Sequence, residues 1–114
     1  MSGTTCSISI MKNNGEIRSI SSNYDGSPDV SGDLLIRLYS EINEVVKLIS
    51  KGNISKLGEE KNFSDKSKPL LFNTKKEYFI WIKRFNFNYL FHEVDKCWYL
   101  IKKNKEIKLF DYLK

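Results

Sequence analysis

Alanine is absent from this chain, histidine occurs once, arginine three times (Arg18, Arg37, Arg84), and there are only two cysteines and two prolines. Each scarcity excludes something. One histidine and two cysteines far apart in sequence, Cys6 and Cys97, match no metal or redox spacing, so neither a metal nor another cofactor is expected. The cysteines read as buried or half-buried thiols rather than a disulfide. No apolar run approaches the roughly 20 residues of a membrane span. The opening MSGTTCSISIMKNNGE has no basic region followed by a secretory apolar stretch. The expectation is a soluble protein that stays where it is made and does not enter a membrane. A glycine-rich phosphate cradle of P-loop or Rossmann type is also missing.

What is present in excess is lysine. Of 19 basic residues 16 are Lys, asparagine is frequent, and the formal net charge is +5. Lys- and Asn-rich, Ala-free usage is that of an A+T-rich genome, which discounts the overall charge as a sign of a polyanion partner. Its distribution is more informative. Residues 1–62 carry 7 basic and 8 acidic groups, whereas residues 63–114 carry 12 and 6. Any basic face therefore belongs to the second half. The densest cluster is Lys102, Lys103, Lys105 and Lys108, with Arg84 upstream beside aromatic residues. Those are residue types in which binding energy concentrates.

The length of 114 residues suits one hydrophobic core, and a single domain over 1–114 is expected. Thr4, Cys6, Ile8 and Ile10 alternate with Ser7 and Ser9 before Asn13-Asn14-Gly15, which reads as a β-hairpin. A two-residue turn would set Ile8 against Ser21. A three-residue loop sets Ile8 against Ile20, Met11 against Ile17 and Lys12 against Glu16, and is preferred, with Gly15 left-handed. From Val30 the period becomes helical. Leu34, Leu38, Ile42, Val45 and Ile49 form a stripe widened by Leu35, Tyr39 and Val46, predicting one helix over 31–51. Ser31 is its expected N-cap, and Lys51-Gly52 its end. In the following NISKLG, Ile54 and Leu57 are expected to fold back onto that helix. The charged, turn-rich stretch 58–70 reads as a mobile loop.

Thr74-Lys-Lys-Glu77 is a capping box opening a second helix that runs to about Phe85. Tyr78, Phe79, Ile82 and Phe85 lie on its apolar face, and Lys76, Lys83 and Arg84 face water. Strands are expected at 88–94 and 97–102 around a turn at Asp95-Lys96. The tail KEIKLFDYLK fits either an edge strand or a short helix. The order is β-β-α-α-β-β, an α+β fold with two hairpins in a mostly antiparallel sheet and two helices packed on one face.

Catalytic equipment is thin. His92 alternates with Phe91 in a strand and reads as a solvent-facing histidine with no nucleophile beside it. Asp25 precedes Gly26, a common turn pair in which Asp bonds its own backbone and Gly accepts positive φ. Aromatic residues interleaved with Lys and Arg over 78–99 are the pattern of a single-stranded nucleic-acid surface, but at helical and strand spacing they read as core. No catalytic residue, and so no enzyme, is expected.

The segments GEIRSI, YDGSP, LLIRLY, VVKLISKGNISKLG and NYLFHEVDKCWY occur in an order that resembles a family of small uncharacterised phage and prophage proteins. The family pattern is a strand, Y-C-H-W-D-G-Y-P, a helix L-L-x-x-Y, L-I-x-x-G-D-I-S-x-L-G, then E-Y-N-Y-L-F and W-Y, with this chain shortened around 58–75. Asp25, Gly26 and Pro28 coincide with it. Tyr24 stands where the family has Trp, and Asn23 and Ser22 where it has His and Cys, so the pair that could support nucleophilic chemistry is missing. The Tyr24–Asp25 loop is then expected to be a shaped connector able to present a binding surface.

The resemblance implies a mobile-element origin and the cytoplasm of a bacterial host. Small phage proteins without catalytic groups commonly act by binding a host component. The expected function is stoichiometric inhibition of a host defence system, of the anti-CRISPR kind, by protein–protein binding to a nuclease or ribonucleoprotein effector. The partner-binding residues are expected among Arg84, Lys102, Lys103, Lys105, Lys108, Tyr24 and Asp25. One alternative is a nucleic-acid-binding accessory protein that contacts RNA or DNA through the basic second half. Another is a small enzyme or nucleotide-sequestering protein.

Overall fold

The computed structural model describes residues 4–58 and 68–114. The loop expected at 58–70 falls mostly outside the described residues. Along the chain come β1 (Cys6–Met11), β2 (Ile17–Tyr24), a π-helical turn (Pro28–Gly32), α1 (Asp33–Leu38), α2 (Ile42–Ser50) and β3 (Ile54–Lys56). They are followed by β4 (Leu70–Phe72), α3 (Lys75–Trp81) with a 3-10 extension (Ile82–Arg84), β5 (Phe87–His92), β6 (Cys97–Lys102), β7 (Lys105–Lys108) and α4 (Leu109–Tyr112).

The first hairpin has the three-residue loop. Ile8 pairs with Ile20 and Met11 with Ile17. The Lys12 and Gly15 amides close the loop on Glu16 O at 2.8 Å and Lys12 O at 2.9 Å, and Gly15 takes φ +88°. The strands form one mixed sheet in the order β3-β2-β1-β5-β6-β7, with β4 also on β2. Pairing is antiparallel except at β1–β5 and β2–β3, which are parallel. The class is α+β, as expected, but the simple β-β-α-α-β-β order is not. The extra strands β3 and β4 complete one side of the sheet. The tail resolves into both alternatives, β7 and then α4.

Helices cover both faces, not one. On the first face Cys6, Ile8, Ile10, Ile20, Tyr89, Phe91, Trp98 and Leu100 pack with Leu35 of α1, Val45, Leu48 and Ile49 of α2, and Leu109 of α4. On the second, Ile17, Leu90 and Ile101 pack with Tyr78 and Ile82 from α3 and its extension. The alternation in β1 suggests serines turned to water, yet Ser7, Ser9 and Ser19 are fully buried beneath this second layer. Their hydroxyls are satisfied inside the sheet, Ser7 donating to Asn88 Oδ1 at 2.6 Å and Ser9 sharing a 2.7 Å bond with Ser19. A small hydroxyl with an internal partner avoids the penalty of burying a bare polar group.

The expected helix over 31–51 is interrupted. Tyr39 leaves helical geometry (φ −127°, ψ 52°), and its carbonyl accepts the Trp98 indole N–H at 2.8 Å. Glu41 is extended and starts a new helix. The interruption resets the phase of the stripe, so Leu35, Val45, Leu48 and Ile49 are buried while Leu38 is 50% exposed and Val46 also faces water. Ser31 is not an N-cap. It is buried and donates to Asp25 O at 2.5 Å, tying the preceding loop. The other helix signals hold. Thr74 Oγ1 accepts from Glu77 N at 3.2 Å, and Gly52 follows α2 at φ +78°. Ile54 and Leu57 are buried in the first core, Ile54 as part of β3.

Candidate binding surface

The β6–β7 hairpin turns through Lys103 and Asn104 alone, with Lys102 paired to Lys105. Both turn residues have positive φ, 52° and 63°, the conformation of a type I′ turn whose twist matches the strands. With no glycine to mark it, this turn is hard to see in the sequence. It carries Lys102, Lys103 and Lys105, all exposed, to the end of the sheet beside α3.

On α3 the capping box fixes the helix phase, so that Tyr78 and Ile82 point into the core and Lys76, Ile80 and Lys83 share the outer side. Between α3 with its 3-10 extension and the hairpin lie two adjoining concavities of about 430 and 410 Å³. Phe79, Lys83 and Asn104 line both. Lys102, Lys103 and Asn86 line one, and Lys75, Lys76 and Ile80 the other. Among the described residues no carboxylate lines either. Ile80 is 62% exposed, an apolar side chain set among ammonium groups.

The expected site residues do not form one cluster. Lys102 and Lys103 line this groove, and Lys105 lies in the same hairpin. Arg84 is turned back onto α3, donating to Trp81 O at 3.1 Å with its guanidinium 5.9 Å from the Trp81 ring. Lys108 lies at the far end of β7 and lines a different concavity. Tyr24 and Asp25 end β2 on the opposite side of the sheet. Asp25 has φ 55° and pairs with Lys56 at 3.0 Å. Gly26 is clasped beneath, its carbonyl accepting the Tyr89 hydroxyl at 2.6 Å and its amide reaching Thr4 O at 2.9 Å. Sequence reasoning missed the contribution of α3. Lys76 and Lys83 read there only as water-facing, although their spacing with Ile80 puts all three on one side of a helix.

A second polar constellation adjoins the groove on the same sheet face and shares Lys75 with it. His92 is not solvent-facing; its side chain is 12% exposed. Its Nε2 bonds Glu106, Nδ1 lies 3.6 Å from Asp95, and the ring packs on Tyr99. Glu106 also receives Lys75 Nζ at 2.8 Å. Burial opposes ionisation of Glu106, but Lys75 and His92 outweigh it and hold the carboxyl below its usual range. Cys97 stands opposite His92 in register, a thiol neighbour that sequence reasoning did not find. Both imidazole nitrogens face carboxylates, so the geometry describes a charge-linked clasp joining β5, β7 and α3. Cys97 and Cys6 are both free thiols, and burial pushes Cys6 up to about 12, which makes it inert at neutral pH.

Among the described residues no group of three or more His, Cys, Asp or Glu is placed to hold a metal, and no helix is long and apolar enough to cross a membrane. Compared with known proteins, the chain matches no family model, no curated protein and no solved structure.

Proposed function

We propose that the protein acts by binding an acidic surface of a macromolecular partner through the groove between α3 and the β6–β7 hairpin. The observation that carries this reading is the lining: lysines of α3 with its extension and of the β6–β7 hairpin, three asparagines, Phe79 and exposed Ile80, with no carboxylate among the described lining residues. A one-signed groove speeds encounter with an oppositely charged partner. An apolar side chain set among the charges supplies the desolvated contact that charges alone lack. The phage-protein resemblance supports the choice of partner, an effector nuclease of host defence, held stoichiometrically.

Nucleic acid is the second reading, favoured by the Lys and Asn lining. Against it, Phe79 and Phe85 are only half exposed and already pack on Tyr78 and Trp81, which limits the ring surface on which bases could stack. The test is a triple reversal, Lys76→Glu, Lys83→Glu and Lys103→Glu, with folding confirmed by circular dichroism. The expected result is that wild type associates with a purified effector nuclease complex and inhibits it at one-to-one ratio, while the triple variant associates many-fold more slowly. Unchanged association by the folded variant overturns the reading. Binding of labelled single-stranded RNA with a steep salt slope, and none of the effector, transfers the groove to the nucleic-acid reading.

A further inference from the structure

A second concavity, of about 350 Å³, opens on the first face of the sheet, away from the basic groove. Its walls are Ile36 of α1, Phe91 and Trp98 of the sheet, and Phe110 of α4. The floor is preformed. Phe91 and Trp98 meet edge to face at 5.3 Å, and the indole N–H is fixed on Tyr39 O at 2.8 Å. Phe110 is 62% exposed and forms a lip shared with a smaller adjoining concavity of about 270 Å³ that also touches Ile36. Two ammonium groups, Lys96 and Lys108, are exposed and line the opening. Neither has an ion-pair partner among the described residues. Asp111, the one acid among the described lining residues, lies 3.7 Å from Lys114.

We infer that this concavity binds a small amphipathic carboxylate, its aromatic or aliphatic body between Trp98 and Phe110 and its head between Lys96 and Lys108. The volume falls at the lower end of the roughly 300–1,000 Å³ of small-molecule sites, and a mostly apolar wall with a few convergent polar groups is their usual construction. Two cations offset in part by Asp111 favour a monoanion over a doubly charged head. An exposed phenylalanine at the lip is the surface such a ligand would cover. The site shares no residue with the basic groove and stands whether or not the function proposed above holds.

The chain has two tryptophans, and Trp81, which packs on the second face, serves as an internal control. Decanoate and decanol, each kept below its aggregation limit, are titrated into the full-length protein while the two indole N–H resonances are followed. The expected result is a saturable shift of Trp98 but not Trp81 with decanoate, and weaker binding of decanol. Lys96→Gln with Lys108→Gln should weaken decanoate about tenfold, the value of a charge-assisted bond, and leave decanol unchanged. The inference is overturned if decanol binds as tightly as decanoate, if the folded double variant binds decanoate like wild type, if both indoles move together, or if neither moves.

Discussion

Lys75, in the first turn of α3, reaches Glu106 on β7 at 2.8 Å, and the other oxygen of that carboxylate holds His92 on β5. One half-buried carboxylate thus links the helix of the second face to two strands. The carboxyl of Glu106 is held below its ordinary range in the folded protein. As pH falls, the unfolded chain takes up this proton first, and the stabilisation drains away below the ordinary carboxylate pKa of about 4.3. Glu106→Gln should therefore lower Tm relative to wild type near neutrality, with the gap closing as pH drops from about 5 toward 3. Thermal melts of both proteins across that range check it. A gap that stays constant with pH would mean the carboxylate charge contributes nothing.

Tyr78 sits fully buried over Ser7 and Ser9, and among the described residues its hydroxyl reaches no hydrogen-bond partner. Burial pushes its pKa well above the ordinary tyrosine value, and the Ser9 and Ser7 hydroxyls, near it but already bonded to Ser19 and Asn88, pull it back only in part. A buried hydroxyl left without a partner costs about 1–3 kcal/mol. Tyr78→Phe keeps the ring against Phe72 and Phe79 and removes the cost, so it should be neutral or stabilising by about 1 kcal/mol. A shift of the urea midpoint to lower concentration would show that the hydroxyl has a partner in solution.

How much of this was legible depends on distance along the chain. The register of β1 and β2 follows from counting across Asn13–Gly15, because the loop and its cross-strand pairs are contiguous. The capping box at Thr74 is equally local. The interruption at Tyr39 was not legible, since its cause is an indole 59 residues away that takes a helix carbonyl. Ser9 and Ser19 face each other in that same local register, but the partner of Ser7 is Asn88, 81 residues away, and the layer that buries these serines is α3, neither of which the sequence alone brings near, and so both helices were expected on one face. Of the basic surface, the lysines of one hairpin could be grouped by proximity. Lys76 and Lys83 join them only through the packing of α3.

The interrupted helix makes a contrast between two leucines of the same segment. Leu48 is fully buried in the first core while Leu38 is half exposed. Leu48→Ala should cost about 2–5 kcal/mol, as buried large-to-small changes do. Leu38→Ala should cost about 1 kcal/mol or less, the scale of surface changes. Equal losses in chemical denaturation would mean that 31–51 packs as one continuous helix after all.

Gly26 and Gly15 separate two reasons for a glycine. Gly15 has φ +88° with open space around its α-carbon, so Gly15→Ala meets only the backbone penalty of a left-handed residue, about 1 kcal/mol. At Gly26 an added Cβ would lie 2.8 Å from Cys6 Cβ and 2.9 Å from the Thr5 carbonyl carbon. The Thr5 atom is main chain at the start of the central strand and has no rotamer through which to retreat. Relief would require moving the loop off β1, which lengthens both the Gly26 amide bond to Thr4 O and the Tyr89 hydroxyl bond to Gly26 O. Overpacking of this kind costs about 1–3 kcal/mol, and a weakened buried bond adds to it. Gly26→Ala should thus be clearly the more damaging of the two, and the urea midpoints of both variants against wild type measure the difference. A Gly26→Ala protein as stable as Gly15→Ala would mean that the loop does not lie against β1 as closely as these distances require.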